Sequence, residues 1–283
     1  MRSDVLGLCV CSIVVVSFAG GGCAPAPLPP DADTFVPVVQ IPSCAPNNDG
    51  VITIDEVPVV RGAAARVRVA NDVPVDVDGV DQDGVTVWDL SNPDPATEPL
   101  GRLTVEEMDD QWFADLFPTA TIAAPLVPGN SQLGPLVITD DTWELLGAAS
   151  KDEDPAEGQT RVVYDTPSAL YPFPLQLGAH VTSSSRAQNA VLLGIPTAFV
   201  DDVDVEVTQQ GTVILPDLIL ENTLRVTVRL QRTLLAGDVQ QVSHHFVHEC
   251  LGEVARFTSD AVPLDEELDD DFATAQEVWR LSL

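Results

Sequence analysis

The C-terminal third of the chain alternates apolar and polar residues, which is the period of a β-strand with one face on a core. The clearest segment is 223–234 (TLRVTVRLQRTL), where leucine or valine occupies every second position from Leu224 to Leu230. The connections that follow are short, and short loops cannot form parallel crossovers. The sequence therefore predicts an antiparallel meander. Its strands are expected at residues 203–208, 212–215, 223–234, 240–249, 253–258 and 275–283, with a turn at 209–211.

The chain from residue 51 to the meander is also predicted to be mainly β, with one exception. Strands are expected at residues 66–69, 85–90 and 161–164, which are rich in β-branched or aromatic side chains. In the exception, Thr104 and Glu107 have the spacing of a capping box, and Pro118 ends the segment. The apolar residues between them fall on one helical face. They are Met108, Trp112, Phe113 and Leu116.

These patterns predict a mainly β fold: an antiparallel meander that forms a half-barrel or a two-sheet sandwich, with one short helix. Twenty-three prolines and eighteen glycines interrupt the chain at short intervals, as strands and turns require. No period of 20–50 residues repeats along the chain, which excludes a solenoid or a propeller.

The N-terminus has the organisation of an export signal. An apolar run from Val5 to Phe18 is too short to span a bilayer as a helix and fits a signal-peptide core. Residues 1–22 are therefore predicted to be a lipoprotein signal peptide, because the Gly22-Cys23 junction resembles the lipobox of bacterial lipoproteins. That resemblance implies that Cys23 is lipidated. Ordinary secretion and a retained anchor are the alternatives.

A proline-rich segment follows Cys23. Residues 23–42 contain six prolines (CAPAPLPPDADTFVPVVQIP), which favour extended backbone and disfavour a packed core. We expect this segment to be a tether that holds a β-rich extracytoplasmic domain, residues 43–283, away from a membrane. The expected location is the bacterial cell envelope, lipid-anchored, with the outer membrane as the anchoring surface.

Export also bears on the cysteines of the mature domain, Cys44 and Cys250. Cys9 and Cys11 leave with the signal peptide, and Cys23 carries lipid. An oxidising envelope favours a disulfide between the two that remain. The alternative is two separate buried thiols.

The charge balance limits the range of partners. Thirteen lysines and arginines against forty-four aspartates and glutamates give a net charge of −31, which excludes a nucleic-acid partner bound by phosphate neutralisation. The chain is not predicted to be disordered, because 45% of its residues are apolar. The expected partners are a membrane, through the N-terminal lipid, and an envelope protein or a lipid ligand.

Two acidic segments are candidate calcium sites. Residues 47–56 (NNDGVITIDE) resemble the later part of an EF-hand loop, with Asn47, Asp49 and Glu56 at ligand positions. The first ligand is missing, since Ala45 stands where an aspartate is expected. The second segment, DVDGVDQDG, places four carboxylates within eight residues: Asp76, Asp78, Asp81 and Asp83. Weak calcium binding is therefore the one cofactor considered, and ordinary polar turns are the alternative in both places.

No catalytic signature is present in the mature chain, which lacks GxSxG, HExxH, GxxxxGK[ST] and CxxC. His244, His245 and His248 lie close together, but on a strand His244 and His248 are about 13 Å apart, too far to share a metal. We therefore expect exposed or partly buried histidines in a strand, and no catalytic activity.

Several segments resemble uncharacterised lipoproteins of high-GC Gram-negative bacteria. The resemblance rests on Tyr164, residues 171–174 (YPFP), residues 224–226 (LRV) and residues 252–256 (GEVAR). The predicted strand order is also similar to that of lipoprotein-carrier-like β half-barrels, which hold acyl chains between a curved sheet and a lid. The expected function is an envelope-anchored lipoprotein with a structural or interaction role. The alternative is lipid or hydrophobic-ligand binding by a half-barrel, with Trp112 and Phe113 in its lid.

Overall fold

The computed structural model describes residues 44–282, except residues 58, 60, 95, 130 and 236. The predicted signal peptide, the tether and the lipidation at Cys23 lie outside the described residues. Fifteen strands and two short 3-10 helices, Ile54–Glu56 and Ala114–Leu116, make up the described elements. The strands are β1 (Ala64–Pro74), β2 (Val80–Gln82), β3 (Val85–Asp89), β4 (Leu100–Thr104), β5 (Ile122–Pro125), β6 (Gln132–Ile138), β7 (Thr142–Ser150), β8 (Arg161–Pro172), β9 (His180–Leu192), β10 (Ile195–Ile214), β11 (Ile219–Leu234), β12 (Val239–His248), β13 (Gly252–Thr258), β14 (Val262–Pro263) and β15 (Thr274–Leu281).

All fifteen strands belong to one sheet, and twelve of them follow the order β4-β1-β15-β13-β12-β11-β10-β9-β8-β7-β6-β5, with β2, β3 and β14 pairing beside this path. The pairs along this path are antiparallel, as expected from the short connections. The sheet curls until β4 and β5 approach, where Glu106 and Ala123 form a single antiparallel bridge. The result is a nearly closed, barrel-like sheet, which confirms the mainly β, antiparallel prediction.

The short helix predicted between Thr104 and Pro118 is wrong. Thr104 belongs to β4 and pairs with Ala64, and Glu106 bridges to Ala123, so the start of the segment is extended. The remainder forms turns and the 3-10 helix Ala114–Leu116. The backbone N–H and C=O groups of Thr104 and Glu106 bond to other strands, so they are not available for a local helix. Tertiary pairing therefore overrides the local helical pattern.

The turn predicted at residues 209–211 is also wrong. β10 continues through it as a 20-residue strand, with bulges between Val207 and Gln209 and between Gly211 and Val213. Gly211 marks a close approach of two backbones, because a Cβ atom there would lie 2.3 Å from the carbonyl oxygen of Thr86 in β3. β3 runs parallel to β10 at this point. The glycine therefore permits an extra strand to pair with β10, and does not end the strand.

Alternate residues of β12 face two different cores. Tyr171 of β8 contacts His245 although three strands separate β8 from β12, so Ser243, His245 and Val247 face the interior of the curved sheet. Val242, His244 and Phe246 face the outer side. There, Phe246 packs edge-on against aromatic rings of β3 and β13, which thus form a second core over the outer face.

Candidate functional site

The predicted disulfide between Cys44 and Cys250 is confirmed, with a Cα–Cα distance of 5.4 Å. It fixes the start of the described chain beside the β12–β13 turn. Next to it, the buried carboxylate of Glu249 accepts hydrogen bonds from the backbone N–H groups of Asn47, at 2.7 Å, and Asn48, at 3.2 Å. These contacts hold the EF-hand-like segment against the sheet.

Within that segment, the predicted ligand oxygens are engaged in the loop's own hydrogen bonds. The Glu56 carboxylate accepts from Asn47 Nδ2 at 2.8 Å and from Thr53, whose backbone N–H and hydroxyl donate at 2.8 and 2.9 Å. Asn47 Oδ1 accepts from the N–H of Asp49, and Asp49 Oδ1 accepts from the N–H of Val51. Asn47, Asp49 and Glu56 are thus brought together, and a cation would compete with these donors.

The second acidic segment lies around the β2–β3 hairpin. Asp76 Oδ1 accepts from the N–H of Gly79 at 3.0 Å, and Asp81 Oδ1 accepts from the N–H of Gly84 at 3.2 Å, which are turn-forming contacts. Asp78 lies 3.6 Å from Arg225, and Asp83 has a positive φ of 56°. Across the described residues, no three His, Cys, Asp or Glu side chains are grouped as metal ligands. Calcium binding stays a prediction.

The three β12 histidines are buried, which corrects the expectation of exposed or partly buried side chains. His244 is fully buried and His245 is 6% exposed, although the expected strand position is right. His244 lies on the outer face, between the hydroxyl of Thr227, at 3.1 Å, and the backbone carbonyl of Asp270, at 2.8 Å. Burial lowers the pKa of His244 to about 4. Because other parts of the chain pack on both faces of β12, alternation could not reveal this.

A continuous hydrogen-bonded chain crosses the interior from β12 to β13. Arg256 donates to Glu253 at 2.6 and 2.9 Å, and although burial opposes ionisation of Glu253, the Arg256 charge keeps the pKa of Glu253 below its usual value. Glu253 therefore accepts from the Tyr171 hydroxyl at 2.8 Å, which leaves the Tyr171 oxygen to accept from His245 Nδ1 at 2.7 Å. His245 Nε2 then accepts from the Ser243 hydroxyl at 2.9 Å.

The order of donors in this chain fixes the protonation state of each member. Burial raises the pKa of Tyr171 well above its ordinary value, with the charge of Glu253 as a second cause, so its hydroxyl stays protonated. Burial also lowers the pKa of His245 to about 3, and the ring is neutral at physiological pH. A ring with so low a pKa is a weak base, so this arrangement provides poor activation of the Ser243 hydroxyl.

A second buried network lies farther along the interior. Arg232 donates to both oxygens of Asp201 at 2.6 Å, and Tyr164 donates to Asp201 at 2.6 Å. The Arg232 guanidinium also lies 4.2 Å from the centre of the Phe199 ring. Burial, and then the charge of Asp201, raises the pKa of Tyr164 far above its ordinary value. The paired charges satisfy each other, and the interior is filled with ionic and aromatic groups at this level.

Two clefts in the part of the chain that the structure describes open to solvent. One has a volume of about 570 Å³ and is lined mainly by polar side chains of β9, β10 and β11, including Asp204 and Arg229. The other, of about 410 Å³, lies beside the disulfide. Phe113, which was expected in a lid, is fully buried in a side cluster with Met108 and Phe117. The lid is therefore absent from its predicted place.

An arginine cluster that sequence reasoning missed lies on the outer face of β1, β4 and β15. Arg66 is paired in register with Arg102, and Arg68 with Arg280, so the four side chains share one face. We call these four residues the arginine face. Their signal in the sequence is the alternation RVRV at 66–69, which indicates a strand but does not show which arginines its neighbours contribute.

The buried carboxylate of Glu98 lies at this face. Glu98 forms an ion pair with Arg280, and its backbone carbonyl accepts from Arg68 at 2.9 Å. Within the described chain, no carboxylate lies within ion-pair distance of Arg68 or Arg102, and Arg280 Nε is buried without a hydrogen-bond partner. Arg102 is exposed. Positive charge is thus concentrated at one edge of a protein whose net charge is −31.

No protein-family model, curated protein or solved structure matches this chain. In the part of the chain that the structure describes, no helix is both long enough and apolar enough to cross a membrane.

Proposed function

We propose that this chain is an envelope-anchored lipoprotein whose β domain has a structural or interaction role and no catalytic activity. The observation that carries this proposal is that paired charged side chains occupy the interior of the sheet. Two networks, centred on Glu253 and Asp201, occupy space that a hydrophobic-ligand carrier needs as an apolar cavity. Binding is then a property of the outer surface and of the sheet edge.

The envelope address supports the same role. A signal peptide and a proline-rich tether, both inferred from sequence, place the domain at a membrane surface without inserting it. The disulfide between Cys44 and Cys250 matches an oxidising compartment. Lipid binding by a half-barrel has less support, because Phe113 is buried in a separate cluster and forms no lid.

Acylation and envelope location are tested together by labelling cells with a clickable fatty acid. The wild-type chain is expected to carry the label and to fractionate with membranes, whereas Cys23→Ser loses both properties. A Cys23→Ser protein that keeps the label, or a wild-type protein that never acquires it, contradicts the lipoprotein assignment.

The interaction role is tested by chemical cross-linking in intact cells followed by native mass spectrometry of the detergent-extracted protein. We expect covalent adducts with another envelope component, and no bound lipid beyond the acyl groups on Cys23. A stoichiometric, non-covalent lipid would favour the half-barrel alternative and contradict the proposal.

A further inference from the structure

The hydrogen-bonding edge of β4 is left unpaired because the ladder between β4 and β5 stops at Pro125. Glu106 and Ala123 exchange backbone hydrogen bonds of 2.7 and 3.0 Å, which closes the sheet at one point. The next antiparallel pair along that ladder would place Thr104 opposite Pro125. Proline has no N–H to donate, and strands carrying it are confined to edges. The described residues form no further ladder between β4 and β5.

The backbone groups left open on β4 follow from its pairing with β1. Val105 exchanges hydrogen bonds with Gly62 and Ala63, and the Pro99 carbonyl accepts from Val69, so these odd-numbered residues face β1. The N–H and C=O groups of the alternate residues point away from β1, as in any antiparallel strand. We call this backbone the open edge. It consists of Leu100 and Arg102, because β5 approaches β4 beside Thr104.

The side chains beside the open edge are basic and accessible. Arg102 extends from the open edge itself, with Arg66 and Arg68 of β1 directly behind it on the same face. Leu100 is 51% exposed. Arg102 is exposed and forms no ion pair with a described carboxylate, so a carboxylate placed beside it gains an opposite charge at hydrogen-bonding distance. The arginine face therefore selects negative charge, and the open edge selects an extended backbone.

We propose that the open edge and the arginine face bind an extended acidic segment of another protein, which adds to β4 as a further strand. This inference rests on the interaction role proposed above and names the chemistry of the partner. Main-chain hydrogen bonds to the open edge supply affinity, and carboxylates at every second position of the segment lie beside Arg102 and its neighbours.

Two other occupants fit the surface less well. An anionic membrane offers no N–H or C=O ladder to the open edge, and it repels a protein of net charge −31. A second copy paired through β4 would bring arginines against arginines. The chain's own acidic segment around Asp76 and Asp81 uses its carboxylates in turns, so it is not an extended strand.

The test uses full-length protein in detergent and a fluorescent, end-capped nine-residue peptide of alternating valine and glutamate. Binding is measured by fluorescence anisotropy, and backbone hydrogen exchange of residues 100–104 is followed in parallel. Arg102→Glu is expected to weaken binding about tenfold, since exposed ion pairs contribute modestly and the reversal adds repulsion. Arg186→Glu, an exposed arginine of β9, is the matched control and should change affinity less than twofold.

A peptide whose central residue is proline controls for strand addition and should not bind. Wild-type exchange at residues 100–104 should slow when the alternating peptide is present. Equal affinity of Arg102→Glu and Arg186→Glu, or unchanged exchange at 100–104, overturns the proposal. Arg102-dependent binding of anionic vesicles without peptide binding, or dimerisation abolished by Arg102→Glu, overturns it in favour of a membrane or a second copy. If Arg102→Glu still forms the envelope cross-links, the interaction role stands, and only the assignment of the binding site to the edge of β4 is overturned.

Discussion

Replacing His245 by asparagine should make the stability of the domain less sensitive to acid. The His245 ring is buried and neutral, and its pKa is lowered to about 3 from an ordinary value of 6.5. A proton that binds the unfolded chain but not the folded one favours unfolding. The stabilising contribution of the neutral ring is therefore complete above pH 6.5 and is lost as the pH falls from 6.5 towards 3.

The magnitude follows from the unfolded histidine, which is about 97% protonated at pH 5 when its pKa is 6.5. The linkage relation then gives a loss of about 2 kcal/mol between pH 7 and pH 5 from this one residue. Asparagine does not titrate, and its amide nitrogen can donate to the Tyr171 oxygen as Nδ1 does. The substituted protein is expected to be less stable at pH 7 but to lose about 2 kcal/mol less than wild type on acidification.

Urea unfolding at pH 7 and pH 5, with the disulfide intact, measures the difference. For each protein, the free energy of unfolding at pH 5 is subtracted from that at pH 7, and the two differences are then compared. This comparison cancels the titration of the other ionisable groups, including the general repulsion in a chain of net charge −31. Tyr171→Phe is the matched control, because it removes the same hydrogen bond but keeps the imidazole. Equal losses in wild type and His245→Asn would refute the reasoning that a buried neutral ring resists protonation.

Three further predictions follow from the disulfide, the Asp201 network and the acidic loop. Reducing Cys44–Cys250 opens a 206-residue loop and should lower the free energy of unfolding by roughly 5 kcal/mol, measured with and without reductant; Cys250→Ser should be insensitive to reductant. Asp201→Asn leaves Arg232 buried and unpaired and should cost about 3–5 kcal/mol in urea unfolding, unlike a double replacement by apolar residues. Calcium should bind with a Kd near ~10⁻⁴–10⁻³ M and raise Tm more than magnesium does, and Glu56→Gln should abolish that difference; equal shifts would mean charge screening alone.

The strands that were predicted correctly are those whose signal lies within the strand itself and its adjoining turns. In β11, alternation from Leu224 to Leu230 records one buried and one outer face, and the short turns on either side require antiparallel neighbours. The Cys44–Cys250 disulfide was predictable for a different reason, since the export inferred from the N-terminal sequence leaves those two thiols to pair. Each of these inferences needs no knowledge of distant contacts.

The features that the sequence did not reveal depend on residues far away along the chain. The capping pattern at Thr104 is overridden by pairing with Ala64, forty residues earlier. Gly211 has the appearance of a turn residue, yet its role is to admit β3. The chain from Ser243 to Glu253 is completed by Tyr171, which nothing in the local pattern associates with β12. Spatial grouping of side chains is the part that alternation cannot supply.

The position of the disulfide determines how mechanical load enters the domain. In the proposed lipoprotein, a pull on the N-terminal segment reaches Cys44 and passes through the covalent bond to Cys250, between the neighbouring strands β12 and β13. While the bond is intact, residues 45–249 form a closed loop, so the chain between Cys44 and Cys250 cannot be pulled out to its full length. Reduction would expose that loop to force and add roughly 700 Å of extensible chain. If the chain is anchored as proposed, the disulfide limits its extension even when strands on either side of the β4–β5 seam separate.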